Sequence, residues 1–425
     1  MLTLYNGRAN GKMNVTLVCQ GFDHHTLRLQ PWRRVYEMSK RIASKDISVT
    51  IITDGHSDQP EETIDKIKII RIKHLMFAPF FKTKQLRTSI LNTNPDLVVW
   101  YGTPFSAVYL TQLRSLGKPL IWDIDTDIYT LRFLSRIPHR EMFHPANNLF
   151  HYLATAVFSK RIITLVANSS FITRIIVPNR HLKSTLCDKG IPSSKIAIVP
   201  SAIDVKELNQ INFENPKALR GKLGLKPEDF VFTYFGAPNT LRGPDVAIMS
   251  VQKILKQRRN VKLLIFSRRR VGSSTPEEEY NRIEEEYLQK LAEKLKVEDH
   301  IEIIPGYLDK TLLEEYLHAS DAIVLPFRLV SSEPPLSVFE AMSLGKPVVT
   351  TDIGGLREII GKDRGIVVES GNADELAEAL LFLARNPEKL AILGKNARQY
   401  ATTLPNWNDV AQQFAEVLDV ASQTN

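Results

Sequence analysis

Cysteine is the scarcest residue of this 425-residue chain. Only Cys19 and Cys187 occur, too few for a disulfide-stapled scaffold or a four-cysteine zinc site, and such usage fits a reducing compartment. Runs of eighteen or more apolar residues are absent, which excludes a membrane-spanning helix. The stretch 6–12 is polar and does not have the layout of a signal peptide, so the expectation is a cytoplasmic protein. What is present is ordinary globular composition, 43% hydrophobic and 24% charged, at a length for which two domains are the default.

Acidic residues are thin in the first half. Residues 1–204 carry 27 Lys and Arg against 15 Asp and Glu, and the remainder carries 28 against 32. A basic half beside an acidic one suggests an anionic partner for the first, such as a membrane surface or a phosphorylated substrate; a solvated surface is the plainer alternative.

Short apolar runs at 15–19, 49–52, 66–72, 97–100, 120–122, 163–167 and 196–199 read as strands separated by helical patterns, with 66–72 as a sheet edge and a helix at 31–44. A break at 200–204 and the polar stretch 209–217 precede a second series at 231–235, 263–266, 301–304, 322–325 and 347–351. A helix at 276–295 opens with Thr275, Pro276 and Glu278, a capping box, and its glutamates at 277–279 and 284–286 read as a solvated face. Buried strands alternating with helices imply parallel, doubly wound α/β sheets, whose ligands sit beyond the carboxyl ends of the strands.

The densest chemical signal follows the run 322–325: Ser331-Ser332-Glu333-Pro334-Pro335-Leu336-Ser337-Val338-Phe339-Glu340-Ala341-Met342, continuing through Gly345-Lys346-Pro347 to Gly354-Gly355. Serines and prolines ahead of a helix-forming run mark a helix start. Free N–H groups of about Leu336 and Ser337 could hold a phosphate, with the helix dipole adding roughly 0.3–1 kcal/mol. Glu340, one turn on, suits a ribose whose two hydroxyls donate to one carboxylate. The competing reading is an ordinary core helix with an exposed glutamate.

This stretch resembles the signature of retaining GT-B glycosyltransferases of family 4, in the group 1 glycosyltransferases, and the resemblance runs from Met13 to about Leu418. Supporting it are Pro200-Ser201-Ala202-Ile203-Asp204, similar to the family's inter-domain linker, Gly306-Tyr307-Leu308, similar to its base-reading loop, and the loop 352–358, similar to the loop that lines the donor; Trp407 opens the final helix. The fold implied is GT-B: two Rossmann-like parallel-sheet domains facing across a cleft, with residues 1–203 binding acceptor, 204–404 binding the nucleotide sugar, and 405–425 crossing back onto the first domain. The activity implied is transfer of a hexose-type sugar from a UDP- or GDP-sugar to a hydroxyl of a glycan or lipid-linked acceptor. No cofactor, metal or nucleic acid is implied. A GT-B protein that binds donor or partner with weakened turnover is the alternative, and a sugar-nucleotide epimerase a third reading.

The resemblance carries Gly236, Arg242, Tyr307, Leu308, Leu336, Ser337 and Glu340 to the donor, with Arg242, Glu333, Glu340 and Asp125 at the chemistry. Four departures stand out. The family's two glutamates lie eight apart, which pairs Glu340 with Ser332 and displaces Glu333 by one. Ala237 takes the place of a diphosphate-gripping arginine and Arg242 that of a lysine; Arg268, within Arg268-Arg269-Arg270, is the candidate to return the lost charge. The loop after the first run, Gly21-Phe22-Asp23-His24-His25, holds one glycine, and its histidines read as surface residues. Asp123-Ile124-Asp125-Thr126-Asp127 stands near the family's sugar-contacting histidine, and Asp125 or Asp127 reads as a sugar-hydroxyl acceptor or part of a solvated turn. Between residues 131 and 177, apolar residues mix with Arg132, Arg136, Arg140, Lys160, Arg161 and Arg174, and Glu141 is the sole acid, so reversible binding to an anionic cytoplasmic membrane face is expected.

Overall fold

Val-, Ile- and Leu-rich runs too short for helices form two sheets whose central strands are buried on both faces, the pattern of parallel strands covered by helices. A computed structural model describes residues 12–423 except 25, 28–29, 45, 55–58, 74–82, 136, 139–152, 154–155, 157–160, 205–215, 268–275 and 307–309. The chain divides into one unit of residues 1–129, 151–202 and 405–425 and a second of residues 130–150 and 203–404. Among the described residues no helix is long and apolar enough to cross a membrane.

The first unit holds β1 (Met13–Cys19), β2 (Ile47–Thr53), β3 (Glu61–Ile64), β4 (Ile67–Arg71), β5 (Leu97–Tyr101), β6 (Leu120–Asp123), β7 (Ile172–Val177) and β8 (Ile196–Ile198), in the order β3-β4-β2-β1-β5-β6-β7-β8. All neighbours are parallel except β3 and β4. The segment expected as a sheet edge is therefore an inner strand. The edge is β3, joined to β4 by a two-residue turn at Asp65 and Lys66, both at positive φ. That turn lacks the Asn-Gly or Asp-Gly signal that makes hairpins visible in sequence.

Residues 161–167 are helical, not the expected strand. Ile163, Val166 and Ala167 are buried while Ile162 and Leu165 are exposed, which is a 3.6-residue period that so short an apolar run conceals. The strand of this region is β7, which was not anticipated. The helix Trp407–Ser422 packs within this unit against the helix Trp32–Ile42, buries Trp407 and Phe414, and is capped by Asn406 and Asp409 in a reciprocal box.

Cys19, Tyr101 and Asp123, the last residues of β1, β5 and β6, are register partners in one row. Beside them Arg34 is wholly buried, with Nη1 donating to Asp123 Oδ2 at 2.6 Å and Nη2 to the Val199 carbonyl at 2.9 Å. Burial outweighs the guanidinium and pushes the Asp123 carboxyl up to about 6.

The second unit holds β9 (Phe230–Gly236), β10 (Val261–Ser267), β11 (Ile301–Pro305), β12 (Ala322–Leu325), β13 (Val348–Thr351) and β14 (Gly365–Val368), all parallel, in the order β11-β10-β9-β12-β13-β14. β14 was not anticipated. The helix Pro276–Leu295 spans the expected residues, although Thr275 lies outside the described ones. Its glutamates are not uniformly solvated: Glu278, Glu284 and Glu285 are buried. They share the inward side with Tyr280, Asn281 and Leu288, and Ser267 Oγ, at the end of β10, donates to Glu285.

All four tryptophans (32, 100, 122 and 407) belong to the first unit, so their fluorescence reports its unfolding alone. Arg34→Ala leaves a buried carboxylate unpaired and is expected to lower stability by about 3–5 kcal/mol at pH 7, read by urea unfolding. Folded Asp123 titrates above its ordinary value of 3.8, so it opposes folding as pH rises from about 4 to about 6. Without Arg34 its carboxyl rises further, and the deficit of the variant should shrink on acidification from pH 7 to pH 5.

Candidate functional site

In the second sheet the strand order reverses between β9 and β12, and the loops leaving those two strands flank the switch point where open α/β sheets take ligands. The loop after β9 runs through Gly236 and Ala237, whose carbonyl accepts from Tyr234 Oη at 2.5 Å. It then tightens into a 3-10 turn, Thr240–Arg242, where Asn239 Oδ1 accepts from the Arg242 N–H. Gly243 follows at φ +80, and a Cβ there would stand 1.9 Å from the Pro326 carbonyl oxygen. The loops after β9 and β12 thus touch where only glycine fits.

Arg328 braces them. Its buried guanidinium takes both carboxylate oxygens of Asp245 at 2.6 and 2.8 Å and donates to the Thr240 carbonyl at 2.6 Å, while the N–H groups of Arg328 and Leu329 both donate to the Leu241 carbonyl. From β13, Thr351 Oγ1 donates to the Phe327 carbonyl at 2.7 Å, and Thr350 Oγ1 to that of Leu325. With its neighbours so fixed, the Arg242 side chain is half-buried, its guanidinium 5.7 Å from the Phe327 ring centre.

The loop after β12 ends in the helix Leu336–Ser343. Pro335 stands at its N-cap, so no side chain caps it. Leu336 and Ser337 open the helix, and Ser337 and Glu340, three apart, are its half-exposed positions. Ser332 Oγ is buried and makes no hydrogen bond. Lys346 is spent elsewhere: its buried ammonium donates to the carbonyls of His318 and Ser320, ahead of β13. Gly236 thus ends β9, Arg242 lies in the loop after it, Glu333 in the loop after β12, and Leu336, Ser337 and Glu340 in the helix that this second loop enters, all beyond the carboxyl ends of the two strands. Arg268, Tyr307 and Leu308 lie outside the described residues.

Asp125 belongs to the first unit, buried beyond β6, with Thr126 Oγ1 donating to Oδ1 at 3.2 Å. The three carboxylates of that string turn to three partners: Asp123 to Arg34, Asp125 to Thr126, and Asp127 to His181 at 3.0 Å. None is the exposed turn of the plainer reading: Asp123 and Asp127 are paired by Arg34 and His181, which helices bring in from 89 and 54 positions away, and Asp125 is buried beside Thr126. His24 is exposed and pairs with Glu62 at 2.8 Å, while His25 lies outside the described residues. Among the described residues no cluster of His, Cys, Asp or Glu has the make-up of a metal site.

Residues 216–400 match the model of glycosyl transferases group 1, and residues 32–207 that of glycosyltransferase family 4. The chain belongs to the group 1 glycosyltransferases. It is 26% identical over 202 residues to the D-inositol 3-phosphate glycosyltransferase of Segniliparus rotundus, covering 47% of this chain and 42% of that one. In such matches the chain spans about half the length of its curated relatives. With the protein of the same name from Xylanimonas cellulosilytica the likeness extends over 412 residues at 22% identity, 92% of this chain and 90% of the relative. Among solved structures, Anabaena HepE in complex with UDP and glucose superposes with a TM-score of 0.68 at 17% identity, over 96% of this chain and 99% of that one. The fold is GT-B, with two Rossmann-like units.

Within this family member, Arg328 and Asp245 went unnoticed in the sequence. An arginine three residues past a strand carries no signal until its carboxylate, 83 positions away, is brought beside it. Gly243→Ala should destabilise the protein by at least about 2 kcal/mol, from left-handed strain plus the collision with Pro326. The check is a lowered melting temperature together with faster amide exchange in both 236–246 and 324–330.

Proposed function

We propose that this chain is a retaining hexosyltransferase that takes a UDP- or GDP-sugar and transfers the sugar to a hydroxyl of a glycan or lipid-linked acceptor, without a metal ion. The observation that carries the reading is the uncapped start of the helix Leu336–Ser343 at the switch point, with Arg242 on the neighbouring loop and Ser332 Oγ buried without a partner. Such a helix start favours an anion through its N–H groups and dipole. That HepE was solved with UDP and glucose supports a nucleotide sugar as the donor.

In this reading the acceptor oxygen forms a bond to the anomeric carbon as the bond from that carbon to the diphosphate breaks. The electron pair leaves with the diphosphate, and a diphosphate oxygen takes the acceptor's proton. The barrier is governed by charge building on the leaving group, which fixed positive potential stabilises. Arg242 and the N–H groups of Leu336 and Ser337 supply it, Glu340 accepts from the ribose hydroxyls, and Ser332 Oγ takes a donor oxygen. The first unit serves the acceptor, with Asp125 receiving one of its hydroxyls.

Glu340→Gln should keep the fold and weaken donor use by roughly 1.5–3 kcal/mol, about ten- to a hundredfold in kcat/KM. Ser332→Ala should act in two directions, raising the melting temperature by deleting a buried unsatisfied hydroxyl while lowering donor affinity. Nucleotide release with and without acceptor, in EDTA, is the assay. Unchanged kinetics in both variants sink the donor assignment, and donor binding with no turnover favours a binding protein.

The chain also binds anionic membrane surfaces reversibly in this proposal. Leu165, 71% exposed, and Ile162 share the outward side of the helical residues 161–167 with Arg161. Each basic residue near such a surface contributes roughly 1 kcal/mol, screened by salt. Co-sedimentation with phosphatidylserine vesicles at low salt, lost at high salt and reduced by Leu165→Asp, is the expected result. Absence of sedimentation at low salt refutes it.

A further inference from the structure

Glu333 lies near the end of the loop after β12, three residues ahead of the helix Leu336–Ser343, and is 1% exposed. Both carboxylate oxygens accept from the Gly355 N–H, at 3.1 and 3.3 Å. A Cβ on Gly354, whose φ is +53, would lie 1.6 Å from Oε1. The carboxylate therefore fills the space that a side chain at 354 would need, and the glycine pair is shaped to the glutamate. Two successive glycines leave a turn more conformational freedom than any other pair, so the turn after β13 needs an external restraint. A charged acceptor held out of water is a strong one.

We propose that Glu333 is a positioning residue: it sets the turn 352–355 beside the switch point and acts on the donor through that turn, not by touching the donor. The inference rests on the reading of this edge of the sheet as the donor site. It also gives a physical account of the displaced glutamate. At 333 the carboxylate reaches the glycine turn, and Ser332, at the position eight before Glu340, is left with its hydroxyl buried and uncommitted.

The test compares Glu333→Ala, Glu333→Gln and Gly354→Ala in the full chain, first without ligand, by amide hydrogen exchange. Glu333→Ala should speed exchange in 353–358 at least tenfold and leave β9 and β12 unchanged. Glu333→Gln keeps a carbonyl oxygen for the Gly355 N–H and should stay within threefold of the parent. Gly354→Ala displaces the carboxylate without removing it and should resemble Glu333→Ala, which keeps the test open if that variant fails to fold. With UDP-glucose or GDP-mannose, Glu333→Ala should raise the donor KM more than tenfold with kcat little changed, and Glu333→Gln should restore it. Unchanged exchange in Glu333→Ala overturns the proposal. So does a Glu333→Gln variant that is protected yet as inactive as the alanine form, since the charge would then act on the substrate itself. If neither nucleotide sugar binds the parent protein, the donor reading fails, and the ligand-free exchange still decides whether Glu333 sets the turn.

Discussion

A guanidinium removed from water must satisfy its donors from the protein, and the second unit is organised around one that does. Arg328 binds Asp245 through both oxygens and adds the Thr240 carbonyl. Asp245 lies in the first turn of the helix that follows β9, Thr240 lies in the turn before that helix, and Arg328 itself follows β12. One side chain therefore fixes two loops that are far apart in sequence and adjacent at the strand-order reversal. A buried pair of this kind adds little net stability beyond its desolvation cost. Its contribution is geometric, because it removes the freedom of the two segments that carry Arg242 and the helix Leu336–Ser343.

Glycine has a matching part in the same edge. Gly243 lets the loop after β9 meet the Pro326 carbonyl, and Gly354 leaves room for the Glu333 carboxylate. In both places the space of the missing Cβ is taken by a polar atom of a neighbouring loop, so the loops after β9, β12 and β13 meet at polar contacts. Thr350 and Thr351 continue this pattern by donating from β13 to carbonyls at the end of β12 and just beyond it. The helix start at Pro335 is the exception, with no side chain capping it.

The first unit handles charge differently. The basic surplus of its sequence does not reach the strand ends, where Cys19, Tyr101 and Asp123 form a buried row served by Arg34. There burial opposes ionisation: it raises the thiol of Cys19, the phenol of Tyr101 and the carboxyl of Asp123 together. Arg34 also binds the Val199 carbonyl, so the same guanidinium that offsets the carboxylate secures the segment after β8.

The sequence by itself determined the class of fold and most of the strands, because apolar runs of three to seven residues between helical patterns have few other ways to be buried. It also marked Ser337 and Glu340 as functional candidates, since a helix start just past a strand is a local property, whereas Arg242 was marked only by the family resemblance. It misassigned 163–167, where a run of five residues is too short to display a period, and missed β3, whose turn at Asp65 and Lys66 carries no conventional residue. Only the tertiary structure decided the destinations of the carboxylates. Whether Glu333, Asp123 or Glu285 meets a hydroxyl, a guanidinium or a backbone N–H depends on neighbours that the chain brings back from 18 to 89 residues away. Such partnerships have no local signature, because a hydrogen bond is specified by where two atoms meet and not by the residues on either side of each.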